Sequence, residues 1–180
     1  MALLCRPVAR RERLAGETSI LGPGFLLGIG LGGFVDGILL HQILQWHHML
    51  TSTSGNPATT VAGLEANTLA DGLFHAAAWA FALAGVWMLN RSRERGTPRQ
   101  LLGLALAGWG LFNLVEGLID HQLLGIHHVR AGDGQWAYDA GFLVLGALLV
   151  AGGLTLARSG RAVSSPARPG PSAPGRTAAR

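Results

Sequence analysis

Four long apolar runs, separated by short polar connections, constrain this chain more than any other feature. A helix of about 20 residues crosses a hydrocarbon core of roughly 30 Å. Runs of that length lie at Ile20 to Leu44, Leu69 to Leu89, Gln100 to Leu124 and Trp136 to Ala157. The fold read from them is all-α: an integral membrane four-helix bundle across residues 20–157, with the lipid bilayer as its solvent. The first and third runs are expected to stay helical, in less apolar sequence, through His48 and His128. A composition that is 49% hydrophobic and only 13% charged agrees with that solvent.

The charges then orient the helices. The connection NRSRERGTPR holds four arginines, the leader over residues 1–19 holds four and the tail over 158–180 holds five, whereas the loop after the first run has none and the loop after the third has only Arg130. Short basic segments stay on the cytoplasmic side, so both termini are expected inside, in a multi-pass protein of a bacterial inner membrane. A pI near 10.9 raises nucleic acid as a partner. The arginines, however, sit in loops and tails without lysine or interleaved aromatics, so no nucleic-acid partner is expected.

The tail, SGRAVSSPARPGPSAPGRTAAR, is rich in Pro, Gly, Ser and Arg and is expected to be disordered. Cys5 is the single cysteine, which excludes an intrachain disulfide and a thiolate metal cluster. Any metal chemistry must use nitrogen and oxygen. In the first run Gly24, Gly28 and Gly32 recur at helical spacing, with Gly33 and Gly37 a second pair, and such faces let membrane helices approach closely. They also make a homodimer physically easy.

An internal repeat carries the histidines. Offset by 80 residues, GIGLGGFVDGILLHQILQWHH (28–48) stands against GWGLFNLVEGLIDHQLLGIHH (108–128), matching His41 with His121, His47 with His127 and His48 with His128, and setting Asp36 against Glu116. The second and fourth runs match more weakly, with Asp71-Gly-Leu-Phe-His75 against Asp139-Ala-Gly-Phe-Leu143. Two tandem two-helix units imply a pseudo-two-fold axis along the membrane normal, with matching residues at matching depth.

Spacing on regular α-helices sorts these residues into tiers. Asp36 and His41 are separated by about 7.5 Å of depth, and His48 lies on nearly the same face about 10 Å further out. Counting inward from the start of the second run brings His75 to the depth of His41 and His121, so these three form an expected histidine ring. Asp36 and Glu116 below it and Asp71 above it are ligands or acceptors that orient the rings. The outer tier of His47, His48, His127 and His128 could collect a cation or titrate with external pH, or could simply snorkel. For the inner tier the competing reading is a polar knot, including Gln42, Gln122 and Asn113, that holds the helices together. Buried ionisable groups in lipid are costly, and no intramembrane Lys or Arg neutralises these, which favours a bound cation or haem.

The runs DGILLHQILQWHH and EGLIDHQLLGIHH, with DGLFHAAAW between them, resemble the bacterial membrane-protein family called domain of unknown function 2243 over about residues 20–157. The resemblance implies a four-helix inner-membrane protein and carries no activity with it. The family's association with gene neighbourhoods of respiratory-oxidase assembly implies an assembly partner of that kind and favours copper.

The leading expectation is a transition-metal ion (Cu, Zn or Fe) held by His41, His75, His121, Asp36, Glu116 and Asp71, with His47, His48, His127 and His128 as further ligands. The alternatives are haem b ligated by two of His41, His75 and His121, a metalloenzyme with Asp36 or Glu116 as general base, and a proton or ion conduit.

Overall fold

The structure, a computed structural model, describes residues 19–92 and 96–164. The basic leader through residue 18 and the tail from residue 165 lie outside the described residues. Four α-helices lie among the described residues: α1 (Leu21–Val35), α2 (Val61–Arg91), α3 (Pro98–Glu116) and α4 (Gln135–Ser164). Segments Asp36–Ile43 and Gly117–Leu123 continue α1 and α3 as π-helix. With these extensions, all four are long and apolar enough to cross a membrane.

Local sequence sets the helix starts. Thr60 Oγ1 accepts from Gly63 N–H at 3.1 Å, so α2 begins at Val61, well ahead of its apolar run. Thr97 caps Gln100 N–H at 3.1 Å, and Pro98, whose missing donor costs nothing at a first position, follows it. At the other end α4 runs on through Ser164. The first residues of the segment expected to be disordered are therefore helical, extending a helix already propagating at Ala157.

The helices stand in a row ordered α2, α1, α3, α4. Contacts join α1 to α2, α1 to α3 and α3 to α4, and none joins α2 to α4 among the described residues. The glycines explain how two central helices come so close. Gly24, Gly28 and Gly32 face α3 at Leu104, Ala105 and Trp109, while Gly33 and Gly37 face α2 at Ala78 and His75. The crossing of α1 and α3 is tightest at Gly28 and Gly108. A Cβ on Gly28 would lie 2.1 Å from the Ala105 carbonyl oxygen, and one on Gly108 would lie 2.3 Å from that of Phe25.

The segments carrying the histidine motifs depart from what regular helical spacing predicts. Neither α1 nor α3 continues through His48 or His128. Each passes into π-helix and stops, and a left-handed residue then turns the chain back: Gln45 (φ 49°) in the first unit and Gly125 (φ 57°) in the second. The turns are closed by Trp46 N–H to Leu40 C=O at 2.9 Å and Ile126 N–H to Asp120 C=O at 3.1 Å. A Cβ at Gly125 would meet nothing within 4 Å, so its cost there is purely conformational. Gly125→Ala is expected to lower stability by about 1 kcal/mol, measured by reversible unfolding in mixed micelles, and Gln45→Gly to shift it the opposite way.

Candidate metal centre

The π-helical turns decide which side chains meet. A π-helix bonds residue i to i+5, so it stacks Asp36 over His41 and Glu116 over His121, pairs that regular α-helix would turn well apart. The left-handed turns then fold the outer histidines back down, so that His47 joins Asp36 and His41, and His127 joins Glu116 and His121. Within each of these two triads, one ligand-capable atom per residue lies within 4.8 Å of the others, and all six residues are buried. The two expected tiers are thus collapsed into one layer.

The triads lie side by side between α1 and α3. The His47 and His127 rings stack at 4.8 Å with an interplanar angle of 5°, and His41 faces His127, as His47 faces His121, at 6.2 Å. His47 also bonds across to the second unit, its Nδ1–H donating to the Val129 carbonyl at 2.8 Å. Phe74 of α2 covers His41 at 5.5 Å and Phe142 of α4 covers His121 at 5.4 Å. Apolar rings therefore flank the triads on the α2 and α4 sides.

An aspartate stands behind each triad. Asp71 accepts from His41 Nδ1–H (3.1 Å), His48 Nδ1–H (2.6 Å), Gln42 (3.3 Å) and Met49 N–H (2.9 Å). Asp139 gathers the corresponding groups, accepting from His128 Nδ1–H (2.7 Å), Gln122 (3.3 Å) and Val129 N–H (3.0 Å), with His121 Nδ1 at 3.5 Å. Asp71 and Asp139 therefore orient histidines and hold the return loops. His48 and His128 are their partners and stand outside both triads. Asn67, fully buried on α2, fastens the first loop by accepting from Leu50 N–H and donating to the Asn56 carbonyl, both at 2.9 Å.

The Asp71 carboxylate accepts from Nδ1–H of His41, whose Nε2 lies 3.0 Å from Asp36 Oδ2 without hydrogen-bond geometry. Ligand atoms bound at about 2.0–2.1 Å and at right angles around one ion sit about 3 Å apart. In the second triad His127 Nε2 lies 3.5 Å from Glu116 Oε1. Burial pushes the His47 imidazole down to about 4 and that of His127 down to about 2, so both are neutral and offer lone pairs at ordinary pH.

The orphaned atoms make the same point. Among the described residues, every buried side-chain nitrogen or oxygen without a hydrogen-bond partner belongs to the two triads, except Asn113 Oδ1. Each such atom costs about 1–3 kcal/mol, and a cation shared among them removes that cost. Two imidazoles and one carboxylate are the donor types of many non-haem iron sites, and imidazole also suits zinc and copper.

His75 does not join His41 and His121 in a ring. Its Nδ1–H donates to its own helix at the Asp71 carbonyl (2.7 Å), and its ring lies near Phe34 and Phe74 and against the Cα of Gly37. In the second unit Leu143 packs on Gly117 in the same way, so a leucine can fill this place. Equal depth put His75 on the right level, but its rotation about α2 turns it from the centre. Sequence reasoning undervalued His47 and His127 and gave Asp139 no role, although its match to Asp71 was visible. Asp71→Asn is expected to weaken metal affinity 10- to 100-fold by loosening the His41 ring, measured by chelator competition, with Asp139→Asn acting likewise on the other triad.

These features define a class: a multi-pass, all-helical membrane protein with two buried His/carboxylate clusters able to hold metal. Residues 23–160 match the model of the family described as Predicted membrane protein (DUF2243). The chain belongs to that family. No curated protein and no solved structure matches it.

Proposed function

We propose that the protein holds two transition-metal ions, one in each triad, in the outward-facing half of a bacterial inner membrane. The observation that carries this reading is the close approach of His41 Nε2 and Asp36 Oδ2, 3.0 Å apart without a hydrogen bond, inside a cluster of buried unpartnered ligand atoms. The outward placement rests on the arginine-rich connection at the far end of the helices. Both triads are complete within one chain, so the reading needs no second copy.

The ligand set favours a borderline divalent ion: imidazole with carboxylate suits iron(II) first, then zinc or copper(II). A bound ion with open coordination positions would supply Lewis-acid or redox chemistry. Haem fits less well, because the donors of each triad converge within 4.8 Å on a point, whereas axial histidines face each other across a slot as wide as the macrocycle. A copper-handling role beside a respiratory oxidase would use the same ligands and is distinguished by which metal accompanies the protein.

Elemental analysis of protein purified from membranes without chelator tests the reading. About two first-row metal ions per chain are expected, falling to background in His41→Ala with His121→Ala while helical content is unchanged. Wild-type protein free of metal, or a double variant that keeps it, would overturn the proposal.

A further inference from the structure

A cleft of about 360 Å³ opens between α1, α3 and α4 and reaches Asp36 of the first triad. Its walls include the rings of Trp46, Trp109, Tyr138 and Phe142 among aliphatic side chains. Asn113 also lines it; this side chain is 1% exposed, and its Oδ1 has no hydrogen-bond partner. The first unit has Gly33 at the position matching Asn113. The buried asparagine is therefore a feature of one side and is not duplicated with the triads.

Toward the middle of the membrane the cleft continues into an apolar groove of about 570 Å³, and the two share Val35, Leu39 and Trp109. The groove adds Leu31, Phe34, Ile38, Leu102, Ala105 and Leu106, with no polar side chain. At the opposite mouth Arg130 donates to the Tyr138 hydroxyl at 2.6 Å and lies over the Trp46 ring at 5.6 Å, an arrangement suited to headgroup depth.

These pieces specify a ligand. The groove accepts a long apolar tail from the bilayer, the aromatic walls of the cleft accept a flat ring, and the orphaned oxygen of Asn113, in the same cleft as Asp36, requires a donor such as a hydroxyl. Both volumes fall within the range of small-molecule sites, about 300–1,000 Å³. We infer that the cleft binds a membrane-dissolved hydroxyaromatic with an apolar tail, a quinol in chemical class, and brings its hydroxyl to Asp36 at the edge of the metal centre. The cleft is a property of the chain with or without ions. That its ligand would meet a metal rests on the function proposed above.

The test is equilibrium binding of a decyl-tailed benzoquinol to the full chain in nanodiscs, followed by quenching of tryptophan fluorescence, with decylbenzene as the tail-bearing control that lacks hydroxyls. Saturable binding of one quinol per chain is expected, with decylbenzene about tenfold weaker, the loss of one buried hydrogen bond. Asn113→Leu should weaken the quinol about tenfold at unchanged metal content. Leu102→Trp, at an exposed groove position, should weaken the decyl-tailed quinol and spare a tailless one. Chelator-treated protein that still binds the quinol upholds the cleft even if no metal is ever found. Equal binding of decylbenzene and quinol, or no saturable quinol binding by metal-loaded wild type, would overturn the cleft proposal and leave the metal proposal standing.

Discussion

His47→Ala combined with His127→Ala is expected to abolish stoichiometric metal binding while leaving four membrane helices in place. Each residue supplies the third corner of a triad, and each lies on a loop beyond the last helical turn, so its removal spares the spanning segments. Disturbing a group that only orients a ligand costs 10- to 100-fold in affinity. Losing the ligand itself should exceed that, at about 1,000-fold or about 4 kcal/mol per site. Competition with a chelator of known affinity gives the measurement. His127→Ala alone should retain one ion per chain in the Asp36 triad, whereas loss of both ions would show a single shared centre. Histidines that merely fill the interface would leave metal content untouched.

Gly28→Val is expected to produce the largest loss of stability. Its Cβ would fall 2.1 Å from the Ala105 carbonyl oxygen, which belongs to helix backbone and cannot rotate away. The helices must separate, and α1 and α3 with their π-helical continuations carry Asp36, His41, Glu116 and His121 of the triads. Overpacking typically costs about 1–3 kcal/mol, and a backbone clash at a helix crossing belongs at or beyond the upper end. Because the same crossing sets the 4.8 Å stack of His47 on His127, metal affinity should fall together with stability. Gly108→Val should behave alike. Gly72→Ala on α2, where a Cβ would meet nothing within 4 Å, is the control; it should be neutral or slightly stabilising through helix propensity. Unfolding in mixed micelles ranks the three.

Much of the architecture was legible because membranes impose one-dimensional rules. Run length alone located four helices, since a span is a length requirement that composition satisfies locally. The chemistry-bearing residue types were legible too: Asp36, His41, Glu116 and His121 drew attention because ionisable groups are costly at that depth. The geometry was less so. His75 was placed by depth, which spacing reports, and lost by azimuth, which depends on how α2 is turned against Gly37. For Asp71 spacing leaves open a ligand or an acceptor that orients the rings, and the fold selects the second, because the carboxylate accepts from two imidazoles and a backbone N–H.

The duplicated histidine motif could be read from the chain by itself, as could the four apolar runs and the basic connections flanking them, because each is a pattern of residue type along one dimension. Only the tertiary structure decided which of those histidines share a centre. That outcome turns on two backbone departures that composition does not announce: the π-helical stretches that stack residues five apart, and the left-handed Gln45 and Gly125 that reverse the chain. Both are held by packing and hydrogen bonds between segments distant in sequence, such as His47 to Val129 and Ser52 to Ile126. Regular helical periodicity spread the outer histidines away from the carboxylates. The folded chain brings them back, because the acceptors of Asp71 and Asp139 and the close crossing at Gly28 and Gly108 leave the returning loops that one place to bond.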